Sequence, residues 1–356
     1  MRVLLLGGTG AIGQYLQKIL DKNNIPVTVT TRTQMSGKGN IRYVTGNAHD
    51  TAFIAQLCEL HWDAIVDFMS YKTEAFRSRV NLLLNSTNQY FYISSARVYA
   101  DVEYPIKESS PRLIDVTTDE EYLETDEYAL TKARQENILK ESGRHNYTII
   151  RPYITYGDYR LQLGVLEKEE WLYRALHGRT VLFSKDITER VTTLTNGYDV
   201  AYCIYRLIGN KVALGEIYHI TSKQQLLWND VIQIYKEQFK KITGNEFKIK
   251  LVDLNAFLKC RSKELRYQVI YDRLYNRAFD STKVSLMASA HSFINPEIGL
   301  KNCISNFLTD VKFHNIDWGN EGYKDRIVGE WTSFSEIKHI KQYIKYLIYR
   351  FGLRNN

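Results

Sequence analysis

Cysteine is scarce in this 356-residue chain, and Cys58, Cys203, Cys260 and Cys303 are scattered without a Cys-x-x-Cys pair. That excludes a disulfide framework and a thiolate zinc site, and points to reduced, buried thiols in a cytoplasmic protein that needs no metal to fold. No apolar stretch approaches the roughly 20 residues of a membrane-spanning helix. The opening Met-Arg-Val-Leu-Leu-Leu breaks into glycine well short of a signal-peptide core, so the sequons at Asn85 and Asn146 read as chance. Internal repeats and low-complexity linkers are missing too. There is no long Lys/Arg block, and a net charge of +7 spread over this length does not by itself specify a nucleic-acid partner. What remains, 44% hydrophobic and 24% charged residues, is the composition of a globular protein with ample core material.

The first half alternates strand-like and helix-like segments. Apolar or β-branched runs at residues 2–6, 27–31, 41–44, 64–68, 90–93 and 147–150 predict six strands. Leu16, Ile19 and Leu20 mark an amphipathic helix that Asn23-Asn24 ends, and a further helix ends near Ser142-Gly143. This rhythm predicts an α/β fold, a Rossmann-type doubly wound parallel sheet, with its ligand at the carboxyl ends of the strands. After Arg151-Pro152 the rhythm loosens, with helices expected at 197–208 and 228–242 and a strand at 215–221. The domains expected are a nucleotide-binding domain at 1–155, a smaller and mainly substrate-binding region at 156–310 with parts returning to the first, and a C-terminal extension at 311–356.

Gly7, Gly10 and Gly13 stand directly after the first strand and directly before a helix, with Ala11 and Ile12 between the last two. Glycine here permits a tight turn, lets the backbone approach a pyrophosphate, and lets helix pack closely on strand, while the helix N-terminus binds phosphate. A dinucleotide site follows from that placement. At the end of the second strand an acid would bind the ribose 2′-OH. The chain has Thr31 and Arg32 instead, which favours NADP(H) and leaves NAD(H) as the alternative. Asn47 and Ala48, after the third strand, stand where adenine contacts are expected.

Tyr128 and Lys132 are four residues apart, so on a helix they share a face. A cation beside a phenol favours phenolate, letting the tyrosine exchange protons with a substrate hydroxyl. With 26 tyrosines, roughly one or two such pairs arise by chance, so the context decides. That context is a fifth strand ending Ser94-Ser95-Ala96-Arg97-Val98-Tyr99. Together with the glycine loop, Tyr128, Lys132 and Arg151-Pro152-Tyr153, it resembles the extended short-chain dehydrogenase/reductase family, especially its nucleotide-sugar epimerases and reductases. The resemblance covers about the first 155 residues.

That resemblance implies Ser95, Tyr128 and Lys132 as the catalytic group. Ser95 would orient the reacting C–O group, Tyr128 would transfer the proton, and Lys132 would tune it and hold the nicotinamide ribose. It further implies cofactor contacts from Ser94, Phe68, Met69 and Tyr153, and a nucleotide diphosphate contact from Arg190. The family's dehydratases follow the serine with Asp-Glu, where this chain has Ala96-Arg97, so dehydration is disfavoured. A nucleotide-sugar substrate and a homodimer are the implied partners. The alternative is a non-catalytic NADP(H)-sensing or RNA-binding member of the same fold.

From about Trp331 the tail combines Ile337, Ile340, Ile344, Leu347 and Ile348 with Lys338, Lys341, Lys345 and Arg350, a basic amphipathic helix. Such a pattern can mark a membrane-surface element. The plainer reading, preferred here, is a helix packed on its own domain or across a dimer.

Overall fold

A computed structural model describes residues 1–158, 160–288 and 291–352. The chain divides into two units, one formed by residues 1–157, 193–224 and 278–296, the other by 158–192, 225–277 and 297–356.

The first unit is built on seven strands, β1 (Val3–Leu6), β2 (Val27–Thr31), β3 (Ile41–Thr45), β4 (Ala64–Asp67), β5 (Tyr90–Ile93), β6 (Tyr147–Pro152) and β7 (Glu216–Ile220). All pair in parallel, in the order β7-β6-β5-β4-β1-β2-β3. The unbroken apolar run of β1 follows from this, because a central parallel strand is covered on both faces. Val3 and Leu5 enter one core cluster, Leu4 and Leu6 the other. Each such leucine contributes about 1.5–3 kcal/mol by leaving water.

The strand order reverses at β1, which pairs with β2 on one side and β4 on the other. That places the crevice of a doubly wound sheet beyond the ends of β1 and β4. Helix α1 (Gly13–Lys22) buries Leu16, Ile19 and Leu20. It stops where Asn24 turns left-handed at φ 55° and the Asn23 amide donates to the Ile19 carbonyl at 2.7 Å. Helix α2 (Tyr128–Glu141) carries the tyrosine and lysine, and Glu127 caps it by accepting from Ala129 N at 2.7 Å. The chain returns to this unit with β7, which extends the sheet at β6 and occupies residues expected as a strand. It returns again at residues 278–280, where Ile106 N donates to Ala278 O and Asp280 N to Ile106 O, both at 2.8 Å.

In the second unit α3 (Lys168–Leu176) precedes, and α5 (Trp228–Thr243) follows, a helix of the first unit, α4 (Gly197–Leu207). The α3 residue Trp171 stacks on Tyr235 and Phe247 at 4.5 and 5.4 Å. Arg174, fully buried, is neutralised by Glu321 at 2.8 Å and Asp325 at 2.9 Å, both on α6 (Trp318–Val328). The residues expected as a C-terminal extension belong to this unit, ending in α7 (Ile340–Arg350) packed on α6. Among the described residues no helix is long and apolar enough to cross a membrane.

Candidate active site in the first unit

The glycine loop is held from below. Gly7 sits at φ 68°, and a Cβ there would lie 2.6 Å from Met69 Sδ, so the loop rests on the Met69 side chain. A Cβ on Gly13 would come within 2.1 Å of the Gly8 carbonyl oxygen, a backbone atom that cannot step aside. Gly10 is different, for a Cβ there would meet nothing within 4 Å. Protein packing does not require glycine at that position, whereas a pyrophosphate laid against the backbone does. No side chain caps α1, whose N-cap is Ile12, so its N-terminal N–H groups suit phosphate. These features fit the pyrophosphate of a dinucleotide.

The loop's carbonyls are occupied by side chains that sequence reasoning missed. Gln17 Nε2 donates to Gly8 O at 2.7 Å, Gln14 Nε2 to Thr9 O at 2.9 Å, and Gly7 N donates to Thr30 Oγ1 at 2.9 Å. Gln17, four residues after Gly13 and so on its face, is a polar residue on the buried side of α1. That misplacement was the available signal.

Arg32 is exposed just past β2, and Thr31 is buried with its hydroxyl donating to Thr33 O at 3.0 Å. Asn47 is exposed and accepts from His49 N at 3.0 Å. Ala48 is buried, and its carbonyl accepts from Arg79 at 3.1 Å. Phe68 packs on the core cluster that contains Val3 and Leu5, Met69 on the one that contains Leu4 and Leu6. Asp67, just before them, takes Met69 N at 2.9 Å and the Tyr90 hydroxyl at 2.8 Å. Burial raises the Asp67 carboxyl above its ordinary range, against those hydrogen bonds.

At the end of β5 the two serines part. The Ser94 hydroxyl donates to Glu136 Oε1 at 2.6 Å, turning it into the protein, while Ser95 Oγ accepts from Arg97 N at 3.2 Å. The expected cofactor contact from Ser94 therefore cannot use its hydroxyl proton in this arrangement. Lys132, buried, donates to Ile93 O at 2.7 Å, two residues before Ser95, and its ammonium lies 5.7 Å from the Tyr128 ring. Arg97, two residues after Ser95, lies 5.2 Å from the same ring and pairs with Glu127 at 2.6 Å. The turn after β5 and the first turn of α2 are thereby joined around Tyr128, which is 41% exposed and open to a ligand.

Beneath them is a buried charge cluster. Glu136 accepts from Arg151 at 2.6 and 2.8 Å and from Arg112 at 3.3 Å. Burial alone would raise the Glu136 carboxyl, but Arg151, Ser94 and Arg112 hold it below its ordinary range. Arg151 also donates to the Tyr99 hydroxyl, which contacts His219 Nε2. Tyr153, expected near the nicotinamide, is buried with its ring 5.1 Å from Phe279. Arg190 lies in the second unit, exposed, with its Nε donating to Asp186 O at 3.4 Å.

The family model described as "NAD dependent epimerase/dehydratase family" matches residues 3–221, which contain the glycine loop, Ser95, Tyr128 and Lys132. The chain belongs to that family. Two curated relatives are similar at low identity. A chloroplast stem-loop binding protein of 41 kDa from Arabidopsis thaliana is 25% identical over 244 residues, covering 64% of this chain and 60% of that protein. The chain thus spans 60% of that relative's length, less than two thirds. A UDP-N-acetyl-alpha-D-glucosaminuronate decarboxylase from Bacillus cytotoxicus is 24% identical over 336 residues, covering 86% of this chain and 97% of that enzyme. The fold is that of MoeE5, solved with UDP-glucuronic acid and NAD, at a TM-score of 0.67 and 16% identity over 87% of this chain and all of that one.

Proposed function

We propose that the protein is an NADP(H)-using reductase or epimerase acting on a secondary alcohol or ketone of a nucleotide sugar. The observation that carries this reading is the gathering of Lys132, Arg97 and the Ser95 turn around a solvent-facing Tyr128. Tyr128 exchanges a proton with the substrate oxygen, Ser95 orients that oxygen, and Lys132 supplies the cation that favours phenolate. A nicotinamide dinucleotide held at the glycine loop would supply or accept the hydride. NADP(H) is assigned from Arg32 and the missing acid at the end of β2, with NAD(H) as the alternative. Arg97 occupies the position after Ala96 where an elimination reaction needs a carboxylate, so dehydration is not proposed.

The test is turnover of a panel of UDP- and dTDP-sugars, followed by nicotinamide absorbance and by product epimer analysis. Tyr128→Phe should lower turnover by about 10²–10⁴-fold while leaving dinucleotide affinity unchanged. Full activity in that variant would refute the assignment. A non-catalytic RNA-binding or NADP(H)-sensing role is the second reading, favoured by the relative named for stem-loop binding. It predicts stem-loop RNA retained in filter binding, or NADP(H) bound, with no turnover of any sugar nucleotide.

A further inference from the structure

Helix α7 is attached to the second unit by one side. The Tyr346 hydroxyl donates to Asp325 Oδ2 and accepts from Thr332 N, both at 2.9 Å. Helix α6 comes so close that a Cβ on Gly322 would lie 2.3 Å from the Tyr346 carbonyl oxygen. The helix does pack on its own domain, as expected, but through tyrosine rather than through its aliphatic row.

That row points elsewhere. Ile340, Ile344, Leu347 and Phe351 line up along the helix, roughly 100–160° round from Tyr346 at 3.6 residues per turn. Ile340 is 62% exposed, Ile344 51% and Phe351 64%. Two more exposed aromatics flank them, with Trp331 6.0 Å from the Phe351 ring and Phe334 4.7 Å from that of Tyr343. A contiguous apolar surface of this kind marks a binding face.

Charge selects the occupant. Residues 331–350 carry Lys338, Lys341, Lys345 and Arg350 against the single acid Glu336. Lys345 pairs with Asp317 at 2.7 Å and Glu336 with Arg179 at 2.8 Å. Lys338 and Lys341 are exposed and, among the described residues, make no ion pair. A second copy on this row would bring the same uncompensated lysines together. An RNA backbone would satisfy the lysines and leave the isoleucines in water. An anionic bilayer surface satisfies both, with aliphatic side chains at the acyl boundary, aromatics at headgroup depth and lysines on lipid phosphate and carboxylate.

We infer that α7 docks this protein onto an anionic lipid surface. Its 11 residues span about 16 Å, so it lies along the interface and does not cross it.

The full chain is to be co-sedimented with vesicles of phosphatidylcholine alone and of phosphatidylcholine with about a third phosphatidylserine. It should bind the second and not the first, less tightly in high salt. Replacing both Lys338→Gln and Lys341→Gln should weaken partitioning on the order of 30-fold. Ile344→Asp should abolish it with circular dichroism and melting temperature unchanged, since that side chain is half exposed already. Three results would overturn the inference: no binding to the phosphatidylserine vesicles, binding that both variants retain, or a dimer or RNA complex lost in these variants while vesicles are ignored.

Discussion

Arg97 and Glu127 pair at 2.6 Å across the start of α2, and the Arg97 guanidinium lies 5.2 Å from the ring of Tyr128, the next residue. Both partners are largely buried, so removing one leaves an uncompensated charge. Arg97→Met should cost about 3 kcal/mol of stability. The double variant Arg97→Met with Glu127→Gln should recover most of it, read as urea midpoints. Equal losses in both would show that the pair's charge is not what matters.

Gly10 and Gly13 make opposite predictions. Gly13→Ala forces a Cβ to within 2.1 Å of the Gly8 carbonyl oxygen and should destabilise by about 1–3 kcal/mol or more. Gly10→Ala meets open space, so stability should change by less than about 0.5 kcal/mol. Dinucleotide binding in that variant should weaken on the order of tenfold. Thermal melts and fluorescence titration with NADPH separate the two effects.

Buried His219 should govern stability in mild acid. Burial, with Arg151 acting in the same direction, pushes its imidazole down to about 3 from 6.5. Between those values the unfolded chain binds the proton and the folded chain does not. Its contribution is therefore full above pH 6.5 and is lost as pH falls, by up to about 1.4 kcal/mol per pH unit. Glu136, held below its ordinary 4.5, adds stability that is lost at lower pH still. His219→Gln should thus flatten the stability curve between pH 6.5 and 5, measured by denaturant unfolding at each pH. An unchanged slope would remove His219 from the account.

The proposed preference for NADP(H) rests on Arg32. Arg32→Ala should weaken NADPH binding by about 10–100-fold, the worth of a charge-assisted contact of roughly 1.5–3 kcal/mol, and leave NADH binding unchanged. If the two dinucleotides lose affinity equally, Arg32 is not reading a 2′-phosphate.

The strands of the first unit were legible because a doubly covered sheet demands unbroken apolar runs, as in Val3–Leu6 and Tyr90–Ile93. The glycine loop and the Tyr128–Lys132 spacing were legible for the same local reason. What held them in place was not, because it is long-range. Thr30 under Gly7, Glu136 under Ser94 and Asp67 under Met69 are ordinary polar residues until the fold brings them together. In α7 the aliphatic row looked like the buried face, but Tyr346 had a buried carboxylate to reach and took that place.

The parallel pairing of β7 with β6 sets an order of events for the chain as it is made. β6 ends at Pro152, and its partner begins at Glu216, so at about 5–20 residues per second its outer edge waits roughly 3 to 13 seconds for a strand. Unpaired strand edges recruit other chains. Until the chain doubles back, the outer edge of β6 is therefore a place where nascent chains can associate.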